Sequence, residues 1–214
     1  MPERRAFAPQ YASVQHRDET AEIGMWVFLA TEVLLFGGLL FAYFVYRHAN
    51  PNAFAEAGRH TRIVIGSANT AILLTSSFFV ACAVNALQAD ARRICIAMLA
   101  SAMLLGLLFL GLKATEYAGE YHEHLVPGID FSYAAPLADG VELFFIFYFV
   151  ATSIHAVHMV IGIAVLATLA VLLRRSASTR LRAALHSAAL YWHFVDVVWI
   201  VLFALIYLPG RSGT

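Results

Sequence analysis

Five long apolar runs with almost no charge between their ends constrain this chain more than any other feature. A helix that crosses the hydrocarbon core of a bilayer needs about 20 apolar residues. Only a helix or a closed barrel satisfies its backbone hydrogen bonds there. The sequence therefore predicts an all-α integral membrane protein, a five-helix transmembrane bundle. The predicted spans are residues 24–46, 63–87, 94–112, 141–173 and 186–207.

Composition and charge agree with a membrane protein and give no support for a nucleic-acid partner. Hydrophobic residues make up 61% of the 214 residues, and the mean hydropathy is +0.72. An average soluble domain is about 45–50% apolar. The formal net charge is zero, so no basic surface for nucleic acid is expected. We expect one membrane domain over residues 23–209, with a polar cytoplasmic tail at 1–22 and a short tail at 210–214.

The distribution of basic residues predicts the orientation in the membrane. Nine of the 14 Lys and Arg residues lie in the alternate segments that share a side with the amino terminus, and five lie in the others. The positive-inside rule places the more basic side in the cytoplasm. We therefore expect the amino terminus in the cytoplasm and the carboxyl terminus outside.

Glu32 is an acid inside the first predicted span. It lies roughly 12 Å from the edge of the span, at about 1.5 Å per residue. A charge at this depth costs at least a few kcal/mol, and an isolated buried carboxylate is costly. We therefore predict that Glu32 meets a histidine of the fourth span, namely His158. Such a pair is either a polar clamp between helices or a functional site.

Histidines and an aspartate interrupt the later spans. His155 and His158 are three residues apart, as are His193 and Asp196, and this spacing places each pair on one helix face. One interpretation is a metal or haem site made by His155, His158 and an opposing His193; the other is hydrogen bonding within the bundle. The spans offer at most one cross-helix histidine pair for a haem and no copper-like set of Cys, Met and His. We therefore expect no metal or haem in this chain.

Further polar and aromatic groups lie near the ends of the third and fifth spans. Lys113 and Glu116 are three residues apart and are predicted to form an ion pair. Trp192 and Trp199 are seven apart and line one stripe, beside His193 and Asp196. The stretch EYAGEYHEH at 116–124 could bind a cation on the outer face, although such mixtures at a helix end are usually solvated.

Four segments occur here in the order found in subunit III of the haem-copper oxidases: GMWVFLATEVLLFGGLLFAYFVYRH, LKATEY, FYFVATSIHAVHMVIG and YWHFVDVVWIVLFALIYL. The chain resembles the five-span bacterial form of that family, the cytochrome c oxidase subunit III family. The positions that carry the resemblance are Glu32, Glu116, Tyr117, Trp192, His193, Asp196 and Trp199. It departs from the family at Lys113, where Gln is frequent, and at Ser153 and Ala156, where Gly is frequent.

The resemblance implies an accessory subunit without an active site of its own. In this family the haems and copper lie in subunits I and II, and subunit III packs on subunit I, binds phospholipid, supports proton uptake and prolongs the life of the catalytic site. We therefore expect no cofactor in this chain except bound phospholipid. The expected partners are subunit I, subunit II and other oxidase subunits.

The implied setting is aerobic electron transport in a bacterial cytoplasmic membrane, where the oxidase reduces O2 to water and translocates protons. Quinol oxidase members often carry Asp at the position of Glu32, so Glu32 favours the cytochrome c type. One alternative is the accessory subunit of a quinol oxidase or nitric oxide reductase. Another is a stand-alone proton-linked transporter, although the chain lacks the inverted repeat typical of many transporters.

Overall fold

The chain is built from helices in the computed structural model, which describes residues 14–129, 131–133, 136–176 and 178–211 and gives only the backbone of 14–22. No strand occurs in these residues. Five of the helices are long and apolar enough to cross a membrane, which confirms the predicted fold class. The helices are α1 (Val14–Ala49), α2 (Pro51–His60), α3 (Ile63–Gln88), α4 (Arg92–His122), α5 (Ala138–Arg175) and α6 (Thr179–Tyr207).

The helices run beyond the apolar segments that predict them. Residues 14–22, predicted as part of a polar tail, continue α1, while 1–13 and 212–214 lie outside the described residues. The last ten residues of α4 and the first seven of α6 also lie outside the predicted spans. Hydropathy marks the part of a helix that lies in hydrocarbon, whereas backbone hydrogen bonds continue into the interface. At the start of α6, the Ser178 side chain accepts a hydrogen bond from the Leu181 amide, as an N-cap does.

The short helix α2 lies between the first two predicted spans and belongs to neither. Pro51 is in its first turn, a position that suits proline. Its apolar face buries Phe54 and Ala57 completely, and the Phe54 ring packs edge-on against Phe144 at 5.6 Å. Arg211 donates to three carbonyl groups around the end of α2. The helix therefore covers one end of the bundle, over the start of α5 and the end of α6.

The body of the protein is the set α3 to α6, and α1 lies at its edge. A short turn makes α3 and α4 an antiparallel hairpin, and α6 packs against both α3 and α5. Glycines allow close packing in the body: a Cβ on Gly66 would lie 2.8 Å from the Tyr207 ring, and Gly106 and Gly162 both face Trp192. Small residues have this use in membrane bundles. On α1, by contrast, a Cβ on Gly37 or Gly38 would meet nothing within 4 Å.

Candidate functional site: polar groups buried in the bundle

One intramembrane pair joins α1 to α5. The Nε2 atom of His158 lies 3.0 Å from Oε2 of Glu32, and each of the two side chains is 12% exposed. The contact confirms the predicted partner of Glu32. It also explains how the bundle accommodates an acid in the first span, because the carboxyl group gains a polar partner in a region that water does not solvate.

The other nitrogen of His158 restricts how this pair holds its proton. Nδ1 lies 2.8 Å from the carbonyl oxygen of Ile154, and a carbonyl oxygen only accepts, so Nδ1 carries a hydrogen. Nε2 then either donates to an ionised Glu32 or accepts from a protonated Glu32. Both forms contain one shared proton and no net charge. The pair can therefore hold the proton on either atom without placing a net charge in the bilayer.

Aromatic side chains supply further contacts between α1 and the body. The Phe36 ring centroid lies 5.6 Å from that of His158. The Tyr191 hydroxyl donates to the His158 carbonyl oxygen at 3.0 Å, which positions α6 beside the pair. Further along α1, the Tyr43 hydroxyl donates to the Leu205 carbonyl oxygen at 2.5 Å. Polar contacts at two positions along α1 thus attach it to the body: Glu32 contacts α5 and Tyr43 contacts α6.

A second pair lies inside the body, at Lys113 and Glu116 of α4. The Lys113 ammonium donates to Oε2 of Glu116 at 2.9 Å and to the hydroxyl groups of Tyr148 at 2.9 Å and Tyr207 at 3.1 Å. The Tyr207 hydroxyl donates to the Glu116 carboxylate at 2.8 Å. This confirms the predicted ion pair and shows it to be buried, since the two side chains are 5% and 0% exposed.

The Lys113 cluster satisfies the groups that it buries. An ammonium has three hydrogens, and Lys113 has three acceptors. Its Nζ also lies 4.5 Å from the Tyr148 ring centroid and 5.6 Å from that of Trp199, at cation–π distance. Because the acceptors belong to α4, α5 and α6, the cluster connects three helices of the body.

Glu120 lies one turn beyond Glu116 and is only 5% exposed. Neither of its carboxylate oxygens accepts a hydrogen bond from a described residue. The next acid, Glu123, pairs with Arg62 at 3.2 Å. The family-motif residue Tyr117 turns towards α5, where its hydroxyl lies 2.5 Å from Oγ1 of Thr152. Glu116 and Glu123 therefore have separate cationic partners, Lys113 and Arg62.

His155 and His158 make contacts with different helices, although three residues separate them. His155 is fully buried, and neither ring nitrogen has a hydrogen-bond partner among the described residues. Its ring lies 5.4 Å from Phe109 and 5.1 Å from Trp199. The indole nitrogen of Trp199 donates to Thr70 at 3.2 Å. His155 thus faces the interior of the body, whereas His158 faces α1.

The polar side chains of α6, His193 and Asp196, also have different surroundings. Nδ1 of His193 lies 2.5 Å from the Ser77 hydroxyl of α3, so its partner is Ser77 and not Asp196. Asp196 is 3% exposed, and both carboxylate oxygens lack a partner in the described part of the chain. Trp192 is 1% exposed, packed on Gly106 and Gly162. His193 and Asp196, although three residues apart on α6, therefore form no hydrogen bond with each other.

The three histidines proposed as metal or haem ligands do not come together. His155 packs on aromatic rings, His158 contacts Glu32 and His193 contacts Ser77. Within the ranges described, no group of three or more His, Cys, Asp or Glu side chains is arranged to hold a metal ion. That this chain carries no metal or haem stays a prediction.

At the α2 end, a small polar cluster lies outside the spans. Nε2 of His60 is 3.3 Å from the Tyr133 hydroxyl and 3.8 Å from Oε1 of Glu56. Burial, and next the Glu56 carboxylate, raises the pKa of Tyr133 above its ordinary value. Tyr133 therefore remains a neutral phenol at physiological pH.

Sequence patterns identify the charged members of these clusters and miss their neutral partners. Tyr148, Tyr207 and Ser77 gave no signal, because a hydroxyl in an apolar run needs no particular explanation. Asn69 did give a sequence signal, because an amide side chain is unusual within an apolar span. It is completely buried, and its amide atoms lack partners among the residues described.

Comparisons with known proteins agree with the geometry. Residues 11–211 match the family model described as cytochrome c oxidase subunit III. The cytochrome c oxidase subunit 3 of Thermostichus vulcanus is 31% identical over 206 residues, covering 93% of this chain and 94% of that protein. The quinol oxidase subunit 3 of Bacillus spizizenii is 29% identical over 208 residues, covering 94% and 95%. The cytochrome c oxidase subunit 3 of Formosania lacustris is 34% identical over 199 residues, covering 87% and 69%.

Proposed function

The chain belongs to the cytochrome c oxidase subunit III family and is a multi-pass subunit III of a haem-copper oxidase, and from this premise we propose that it is the accessory subunit of a cytochrome c oxidase in a bacterial cytoplasmic membrane. The match of residues 11–211 to one family is the observation that carries the proposal. In this role the haems and copper belong to other subunits. The amino terminus lies in the cytoplasm, as the distribution of arginines indicates.

The accessory role consists of packing against subunit I and holding phospholipid at the contact. Helix α1 supports this role, because much of its surface is apolar and exposed. The exposed fractions are 72% for Phe41, 75% for Leu34 and 57% for Trp26. Such a surface suits another membrane subunit or acyl chains. Subunit II and the remaining oxidase subunits complete the assembly.

The proton-related role falls to the pair of Glu32 and His158. Their arrangement holds one proton on either of two atoms at no net charge, inside a span. Intramembrane acids and histidines in contact commonly mark proton pathways. Here the pair would support proton uptake by subunit I and sustain the oxidase through many turnovers.

A quinol oxidase is the second candidate for the host complex. The Bacillus spizizenii relative is named a quinol oxidase subunit and is nearly as similar to this chain as the Thermostichus vulcanus protein. Glu32, where quinol oxidases often have Asp, favours the cytochrome c type. The two candidates differ in the electron donor and in the metal content of subunit II.

A purification through a tag at the carboxyl terminus, Thr214, tests the proposal. We expect a large subunit that carries haem and copper to co-elute in mild detergent, and the complex to consume O2 with reduced cytochrome c. Consumption with a quinol and not with cytochrome c would select the second candidate. Elution of a colourless chain alone, from membranes with active oxidase, would contradict both, and proton flux through that chain in liposomes would then favour a transporter.

A further inference from the structure

An open groove of about 700 Å³ lies at the end of the bundle where α3 joins α4 and where α5 ends. We call it the arginine groove. Its basic side chains are Arg92 and Arg93 of α4 and Arg174 of α5, its apolar wall includes Ile94 and Ile96, and Asp90 lies at its edge.

The positive charge of the arginine groove is not neutralised by this chain. None of its three arginines forms an ion pair with a described residue. The acid that lines the groove, Asp90, is engaged by Arg182 of α6, which also donates to the Leu87 carbonyl oxygen. Three guanidinium groups that line one groove thus have hydrogens to donate.

The start of α4 adds to this positive charge. Its N-cap residue is Ala91, which makes no side-chain hydrogen bond to the first turn, and that turn has no acid. A helix N-terminus carries partial positive charge, so Arg92 and Arg93 are unfavourably placed there unless an anion is present. The first-turn amides and the arginines offer complementary donors to a phosphate group.

The apolar wall indicates a lipid and not a soluble anion. Ile94 is 56% exposed and stands directly beside the arginines, at the start of a membrane-spanning helix. The lipid-facing side of that helix continues with exposed leucines, 67% at Leu104 and 55% at Leu107. A phosphate with acyl chains would use both parts of the groove, whereas a free anion would use only the arginines.

We propose that the arginine groove binds the headgroup of an anionic phospholipid. Arg92, Arg93 and Arg174 contact the phosphate oxygens, and an acyl chain lies along Ile94 and the outer face of α4. Basic pockets between membrane helices are suited to anionic headgroups. This site is separate from the phospholipid that the proposed function places at the contact with subunit I, and it depends on the membrane location of the chain and not on the oxidase partner.

Native mass spectrometry of the full chain tests the site, with phosphatidylglycerol and phosphatidylcholine as probes. The test variant carries Arg93→Gln and Arg174→Gln. The control carries Arg175→Gln and Arg180→Gln, which removes the same charge from exposed positions outside the groove. We expect the preference for phosphatidylglycerol to fall about 30-fold in the test variant, at about fivefold per arginine, and to change little in the control.

Several results would overturn the site. They are equal preference in the test variant and the unmodified chain, an equal loss in the control, and displacement of phosphatidylglycerol by excess inorganic phosphate, which would indicate a free-anion site. A variant with Arg93→Lys and Arg174→Lys separates charge from folding, and we expect it to keep most of the preference. Co-purification with the haem-bearing subunit is measured separately, and we expect the test variant to retain it. If the unmodified chain did not co-purify with that subunit, the proposed function would be contradicted and the lipid site would not.

Discussion

Two buried polar pairs of the described residues are built differently, and the regions that carry them also differ in packing. Lys113 and Glu116 come from one helix, have tyrosine hydroxyls around them and are 5% and 0% exposed. Glu32 and His158 come from two helices and are 12% exposed each. The first pair lies where three helices pack, and the second lies where one helix is attached to the others.

The two regions also differ in how tightly they pack: α1 is less buried than the helices of the body. In the most apolar stretch of α1, 17% of the residues are buried, against 44% in α6. A Cβ added to Gly66, Gly106 or Gly162 of the body would meet an aromatic ring, whereas one added to Gly37 or Gly38 of α1 would meet nothing within 4 Å. The body is therefore a packed unit, and α1 is a helix held by a few polar and aromatic contacts. We expect the pair in the body to contribute to stability, and the proposed function assigns the pair at the edge a role in the complex.

The largest loss in the free energy of unfolding is expected when the pair of Lys113 and Glu116 in the body is broken. Lys113→Met leaves Glu116 charged and buried without its cation, and removal of one partner of a buried pair costs about 3–5 kcal/mol. Unfolding of the purified chain in mixed micelles with increasing SDS measures the free energy. The double variant Lys113→Met with Glu116→Gln should recover most of the loss, because no charge remains; an equally unstable double variant would contradict the assignment of the cost to the unpaired charge.

A smaller loss of stability, confined to the attachment of α1, is expected when the pair of Glu32 and His158 is broken. Glu32→Ala removes the hydrogen bond to His158, which costs about 0.5–3 kcal/mol over the two protonation forms of the pair, and should loosen α1 without unfolding α3 to α6. Cross-linking between cysteines placed on α1 and α5 reports the attachment. Glu32→Gln keeps a hydrogen-bonding side chain and should retain most of the cross-link. Unfolding of the body together with α1 in Glu32→Ala would remove the distinction between the two regions.

Added methyl groups probe the packing of the same regions. Gly66→Ala places a Cβ 2.8 Å from the Tyr207 ring, and overpacking of this kind costs about 1–3 kcal/mol. Gly37→Ala meets nothing in this chain and should change the stability of the isolated chain by less than about 0.5 kcal/mol. The same SDS titration compares the two variants. Equal costs at both positions would show that α1 packs as tightly as the body.

The smallest loss of stability is expected at the second polar attachment of α1, the hydrogen bond from Tyr43 to α6. Tyr43→Phe removes the hydrogen bond to the Leu205 carbonyl oxygen and should cost about 0.5–1.5 kcal/mol. Tyr46→Phe is the control, since Tyr46 is 45% exposed and its hydroxyl makes no hydrogen bond to a described residue. A larger loss for Tyr46→Phe than for Tyr43→Phe in the cross-linking assay would place the attachment elsewhere on α1.

Much of the fold was predictable because a bilayer allows few solutions. The spans follow from apolar length, and the pairing of Glu32 with His158 follows from the cost of an unpaired acid and the few bases within reach. Lys113 and Glu116 follow from helical spacing. The helix ends were not predictable from hydropathy, because helices continue into the interface. Helix α2 was missed because it is too short and too polar to mark a span, although Ala53, Phe54 and Ala57 already have the spacing of one helix face.

The orientations of the polar side chains were harder to predict than the spans. His155 and His158 are three residues apart, which is about 60° around a helix, and that angle is enough to direct one into the body and the other to α1. The partner of His193 lies on α3, and no spacing within α6 indicates it. Contacts between helices depend on how the helices rotate against each other, and the sequence of one helix does not contain that information.

The turnover lifetime of the assembled oxidase tests the role of the α1 pair most directly. Purified complexes with the unmodified chain, Glu32→Ala, Glu32→Gln and Tyr46→Phe would be compared by the number of O2 molecules reduced before activity is lost, at equal content of this chain. We expect Glu32→Ala to inactivate after fewer turnovers, Glu32→Gln to be intermediate and Tyr46→Phe to match the unmodified complex. A Glu32→Ala complex with an unchanged lifetime and initial rate would contradict a functional role for the pair.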